Sequence, residues 1–203
     1  MIWKEKVKIL EQHDDFDVAV FFLEQVIKEN PDDVDAYIFM LFRLMDTIVE
    51  HACHFSNVSR TPVSDIKSKY YDTKEDYYES LAKRYFKEGY AKFSDNAEFL
   101  FYVGITAAMS EWYFGIETQD YERMLDKALL LDPDNFLYKS LYYKGLDMKR
   151  ESNKEEVVKY AQEVLYHESR IKNIVADKGA AGECCLELTI NWSKEILGIP
   201  TSR

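Results

Sequence analysis

Ala128-Leu129-Leu130-Leu131-Asp132-Pro133-Asp134-Asn135 is an apolar run that stops at Asp-Pro. The proline ring disfavours helical geometry in the residue before it and has no amide to donate, so the run reads as the buried end of a helix with Ala128 and Leu131 as core positions. Proline still suits the first turn of a following helix, so the same residues open the next one. Upstream, Ala128, Leu125 and Tyr121 lie on one helical stripe. The spacing recurs in Ala19, Leu23 and Val26 before Pro31, and in Ala82, Phe86 and Gly89 before Ser94, an N-cap residue in the place of proline. Val157, Ala161 and Val164 before Ser169 give a fourth copy.

Six residues past each turn a second stripe begins: Tyr37, Met40, Leu41 and Leu44, then Leu100, Val103, Gly104 and Ala107, then Lys139, Tyr142, Tyr143 and Leu146. Trp3, Val7 and Leu10 sit where the first half of such a unit belongs. In these residues the chain resembles the tetratricopeptide repeat family, whose units are pairs of antiparallel helices. Val7 and Leu41 occupy that pattern's glycine positions. The turns at Pro31, Ser94 and Pro133 are 63 and then 39 residues apart, against a family period of about 34. The resemblance covers residues 1–168 and implies an all-α fold: antiparallel helical hairpins stacked as a short solenoid, with a capping helix at the C-terminal end.

With 203 residues, 47% of them hydrophobic, and only seven glycines and four prolines, the chain reads as one domain over 1–203. The repeat-like part is 1–168, with an insertion at about 55–72 and a C-terminal cap over 169–203. A formal charge of −11 argues against nucleic acid, whose binding rests on Lys and Arg displacing counterions, and favours a basic protein partner. The N-terminal Met1–Lys8 is too charged for a signal-peptide core, and no run is long enough for a membrane span. Three cysteines, two of them adjacent, make no disulfide framework and suggest a reducing cytoplasm.

Residues 1–13 and 16–30 form the first expected pair. The next helix runs from about Asp32 to His54, and Phe55–Ser64 is rich in turn formers. Helix resumes by Thr73, where Thr73 and Asp76 can cap it. Later helices are expected over 95–114, 119–131, 134–149, 153–168 and 169–178. Gly179–Gly182 then forms a joint before a last helix, Glu183–Leu197. Residues 11–35 hold nine acids and one base, Lys28. Helix capping accounts for some of these acids. Asp14, Asp15 and Asp17, with Asp32, Asp33 and Asp35, could also form a field that steers a basic partner.

His51, Cys53 and His54 bring together residue types that bind zinc, but the set lacks a second ligand pair, so no metal is expected. Histidine near a helix C-terminus complements the dipole there. Cys184-Cys185 lacks the two-residue spacing of a catalytic dithiol and reads as core packing. No phosphate loop, nucleophile elbow or His-Glu-x-x-His run occurs, so the sequence predicts neither an enzyme nor a cofactor.

Binding remains. In tetratricopeptide arrays the first helix of each pair lines an inner groove. The resemblance therefore implies partner-binding positions at Asp35, Ile38, Phe42 and Met45, and at Glu98, Phe101, Ile105 and Met109. Such a mixed apolar and acidic stripe suits a partner segment with an apolar face and basic flanks. The competing expectation is that the chain tucks its own terminal helix into the groove, since large exposed apolar patches need covering. Two functions fit: a guardian that masks a basic partner protein, as an immunity protein or secretion chaperone, or an adaptor that docks a peptide tail. A monomer or weak dimer is expected.

Overall fold

The computed structural model describes residues 3–13, 15–57 and 73–200, with side chains described for 3–13, 15–47 and 73–200. The helices are α1 (Trp3–Gln12), α2 (Phe16–Glu29), α3 (Val34–Asn57), α4 (Glu75–Phe93), α5 (Ala97–Ala108) and α6 (Glu111–Phe114). They continue with α7 (Thr118–Leu131), α8 (Lys139–Lys144), α9 (Glu151–Tyr166), α10 (Glu168–Val175), a 3-10 turn (Ala176–Lys178) and α11 (Gly179–Ile196). The fold is all-α, and no strand occurs among the described residues.

The stripes that punctuate the sequence are the buried lines of these helices. Ala19, Leu23 and Val26 are buried on α2, Ala82, Phe86 and Gly89 on α4, and Val157, Ala161 and Val164 on α9. Helices α1 and α2, α3 and α4, and α5 and α7 pack together, while α2 and α5 also pack on α3. Several polar turn residues start helices. Asp33 Oδ1 accepts from the amides of Asp35 (3.0 Å) and Ala36 (3.2 Å) at α3. Asn96 Oδ1 accepts from the Phe99 amide (2.9 Å) at α5. Glu117 and Asp120 form a reciprocal capping box at α7.

The expected elements differ from the observed ones in five places. Helix α3 continues to Asn57, three residues into the expected loop, and the rest of that loop lies outside the described residues. The single helix expected over 95–114 breaks at Met109–Ser110 into α5 and α6. Only Lys139–Lys144 is helical in the 134–149 stretch. There Asn135 Oδ1 holds the Leu137 amide (3.1 Å) in a local turn instead. The last helix starts at Gly179, so Gly179–Gly182 belongs to its first turn. Leu131 is not core: it is 46% exposed, whereas Ala128 is fully buried. The buried line on α7 runs from Met124 to Ala128, and a four-residue step drifts away from Leu131.

Candidate functional site

Most apolar positions of the stripe implied by the resemblance are buried. Ile38, Phe42 and Met45 on α3 and Phe101 on α5 are all buried in the core, Ile105 is half-buried, and Met109 is exposed. The C-terminal helix α11 packs on α1, α3 and α5, and more extensively on α9 and α10. Its first residue, Gly179, lies against the Phe39 ring of α3. Cys185, Leu186 and Ile190 bury their side chains in the same core, and Phe101 stacks on Tyr138 with ring centroids 4.4 Å apart. Ile38, Phe42, Met45 and Phe101 thus share one core with residues of the C-terminal helix.

The acids of that stripe are engaged as well. Lys178, only 5% exposed, donates through Nζ to Asp35 Oδ1 at 2.7 Å and to Glu98 Oε2 at 3.0 Å. Lys4 holds the other oxygen of Asp35 and stands 3.7 Å from Asp177. Burial pushes the Asp35 carboxyl up, but hydrogen bonds and charge from Lys178 and Lys4 outweigh it and leave its pKa below the ordinary value. Burial likewise opposes the Lys178 ammonium, and its two carboxylates raise its pKa overall.

Asp35 contributes stability that is complete above its ordinary value of 3.8 and is lost as pH falls through its lowered folded value. Lys178 contributes stability that is complete below 10.5 and is lost as pH rises through its raised folded value. Lys178→Ala should destabilise the fold by about 2 kcal/mol at neutral pH, the effect being limited because Lys4 still holds Asp35. Asp35→Asn should flatten the loss of stability in acid. Urea unfolding across pH measures both, and an acid limb unchanged in Asp35→Asn would remove this pair from the stability balance.

The acid-rich stretch 11–35 is answered by bases from distant parts of the chain. Glu11 pairs with buried Arg43 at 2.7 Å, Asp17 with Lys74 at 2.9 Å, and Glu24 with Arg84 at 2.9 Å. Asp33 also accepts from the indole of Trp3 at 3.1 Å. Asp15 is exposed, and Asp14 lies outside the described residues. Asp17 is therefore part of the fold, and an asparagine there would alter stability as well as surface charge.

Lys178 and Arg43 are absent from the sequence-based site. Both nevertheless occupy stripe positions on otherwise buried faces: Ile171, Val175, Lys178, Ala181 and Cys185 in one case, and Ala36, Met40, Arg43 and Thr47 in the other. A single basic residue within an apolar stripe was the legible signal. It marks a buried ion pair.

Neither cysteine of the adjacent pair is poised for chemistry. Burial pushes the Cys184 and Cys185 thiols up, the opposite of an activated thiolate. His51, Cys53 and His54 fall in the last turns of α3, and their side chains lie outside the described residues. Among the described residues, no group of three or more His, Cys, Asp or Glu is placed to hold a metal. Nor is any helix there long and apolar enough to cross a membrane.

Comparison with family models, curated proteins and solved structures returns no match.

With most of that stripe buried, the exposed features lie elsewhere on the helices. On α7, Glu122, Asp126 and Leu130 form one exposed line at four-residue spacing, with Leu130 80% exposed and Leu131 beside it. Arg123 and Lys127 on the same helix are engaged by Asp120 (2.5 Å) and Asp95 (2.6 Å). Glu122 and Asp126 have no ion partner among the described residues. Between α2 and α4, Glu24, Lys28, Pro31, Arg84 and Tyr85 line a shallow cavity of about 430 Å³ whose charges are mostly paired. On α4 and α6, a second hollow has an aromatic lining.

Proposed function

We propose that this chain is a non-enzymatic protein-binding module that stoichiometrically masks a basic partner protein, in the manner of an immunity protein or secretion chaperone. The contact face is the outward line of α7 rather than the inner stripe. The observation that carries this reading is the pairing of two unengaged carboxylates, Glu122 and Asp126, with the adjacent exposed Leu130. Such a surface combines charge that attracts a basic partner with an apolar anchor that holds it. The overall charge of −11 extends the attraction beyond the contact itself. The resemblance to tetratricopeptide repeats fits the same role, because a layered helical chain presents a continuous outer surface.

Charge complementarity chiefly raises the association rate, and buried anchors slow dissociation. The joint change Glu122→Gln and Asp126→Asn should slow association about threefold to tenfold at low salt, with little effect on the melting temperature. Leu130→Ala should speed dissociation. The experiment is capture from cells of origin, followed by binding kinetics at several ionic strengths. An acidic captured partner, or a rate indifferent to salt and to both carboxylates, would sink the masking role and leave the peptide-docking adaptor in its place.

A further inference from the structure

We propose that the groove between α4 and α6 is a second docking site, of opposite charge to the first, which takes a peptide segment of a partner carrying an apolar anchor between acidic residues. Its volume is about 510 Å³, within the range of pockets that hold small ligands or large side chains. The walls are aromatic: Phe86 lies 5.8 Å from Phe114 between ring centroids, and Tyr90 stacks on Phe86 at 5.9 Å with 14° between the planes. Ile116 completes the apolar lining, and Ala91 lies exposed on one side.

The remaining lining is basic. Lys83 and Lys87 stand one turn apart on α4, and no acidic residue lines the groove. On a chain of charge −11 this is a local reversal of sign. Lys83 also touches Glu79, whereas Lys87 has no ion partner among the described residues. The groove thus pairs apolar walls with an uncompensated positive charge, and the complement is an apolar side chain flanked by carboxylates.

The groove is also preformed. Gly115 closes α6 in the left-handed region, at φ +70°, where glycine carries no steric penalty. Its amide donates to Trp112 O at 3.1 Å, and that of Ile116 to Glu111 O at 3.3 Å, which turns the chain back at the groove. A side chain at position 115 would meet the Lys83 stem at 3.2 Å, so that stem packs over the turn. The backbone of the turn needs no reordering to admit a ligand.

The test uses the full chain and fluorescence anisotropy. The probe is a labelled peptide with a Leu-Phe pair between glutamates, and its control has lysines in place of the glutamates. Saturable, salt-weakened binding is expected for the first peptide and none for the second. Lys87→Glu should weaken binding about tenfold or more, and Ala91→Trp, which fills the groove from an exposed position, should abolish it. Both variants should melt as the wild type does. Absence of saturable binding, equal binding of the lysine peptide, or indifference to both substitutions would overturn the site. Binding of laurate but not of the peptide would make the occupant an anionic amphiphile and defeat the peptide assignment. A concentration-dependent dimer lost in Ala91→Trp would make it a second copy and defeat it equally. The α7 face takes no part in this test, so the outcome leaves the masking role to stand or fall separately.

Discussion

Gly179→Ala is expected to lower the unfolding free energy by about 3–5 kcal/mol, the sum of a backbone penalty and a collision. Gly179 has φ +56° and ψ −142°, a region that residues with a Cβ almost never occupy. A Cβ there would also lie 2.5 Å from Cε1 of Phe39 and 2.8 Å from its Cζ. The Phe39 ring is itself buried and held edge-on by Trp3 at 5.1 Å, so it cannot move aside without loosening α1. Relief of one strain by another is closed off, because turning residue 179 toward ordinary geometry would redirect α11. Gly198 provides the control: it has φ +65° but nothing within 4 Å, so Gly198→Ala should cost only the conformational part, about 1 kcal/mol. Urea unfolding followed by tryptophan fluorescence reads both. If the two variants cost the same, the close contact between α11 and α3 is absent in solution.

Ala128→Asp is expected to cost about 3–5 kcal/mol, because it places an unpaired carboxylate in a packed interior. Ala128 is fully buried on the face of α7 that packs against α5. The neighbouring Gly104 of α5 admits α7 closely: a Cβ on it would meet Leu125 at 2.7 Å. Leu131→Asp, three residues along the same helix, should change stability by less than about 1 kcal/mol, since the position is 46% exposed. The pair separates the buried line of α7 from the apolar composition of its last turn. Equal losses at both positions would mean that the end of α7 is covered in solution, by a second copy or by a partner.

The two largest effects fall on residues of different legibility. Ala128 could be read as core because helical periodicity is local: Tyr121, Leu125 and Ala128 declare a face without knowledge of what covers it. The same periodicity marked the buried lines of α2, α4 and α9, and the turns at Pro31, Ser94 and Asp132-Pro133 marked where helices stop. Leu131 was misread for a related reason, since an apolar residue at a helix end is buried only if something lies beside that end. Gly179 could be read as a break in pattern, but its near contact with Phe39 depends on a residue 140 positions earlier.

Composition and stripe spacing determined the all-α class, most helix positions and the excess of acidic charge, because each depends on residues within a turn or two of one another. Tertiary structure alone decided which charges are spent and which faces are free. The carboxylate of Asp35 meets its buried lysine across 143 residues, and Asp17 and Glu24 meet their bases across 57 and 60. A local count of nine acids to one base could not foresee those partners, since ion pairing depends on distance in space. The inner stripe of Ile38, Phe42, Met45 and Phe101 was legible as apolar, but only the packing of several helices around α3 and α5, α11 among them, made it core. Burial depends on which elements meet across the core, and spacing along one helix does not carry that information.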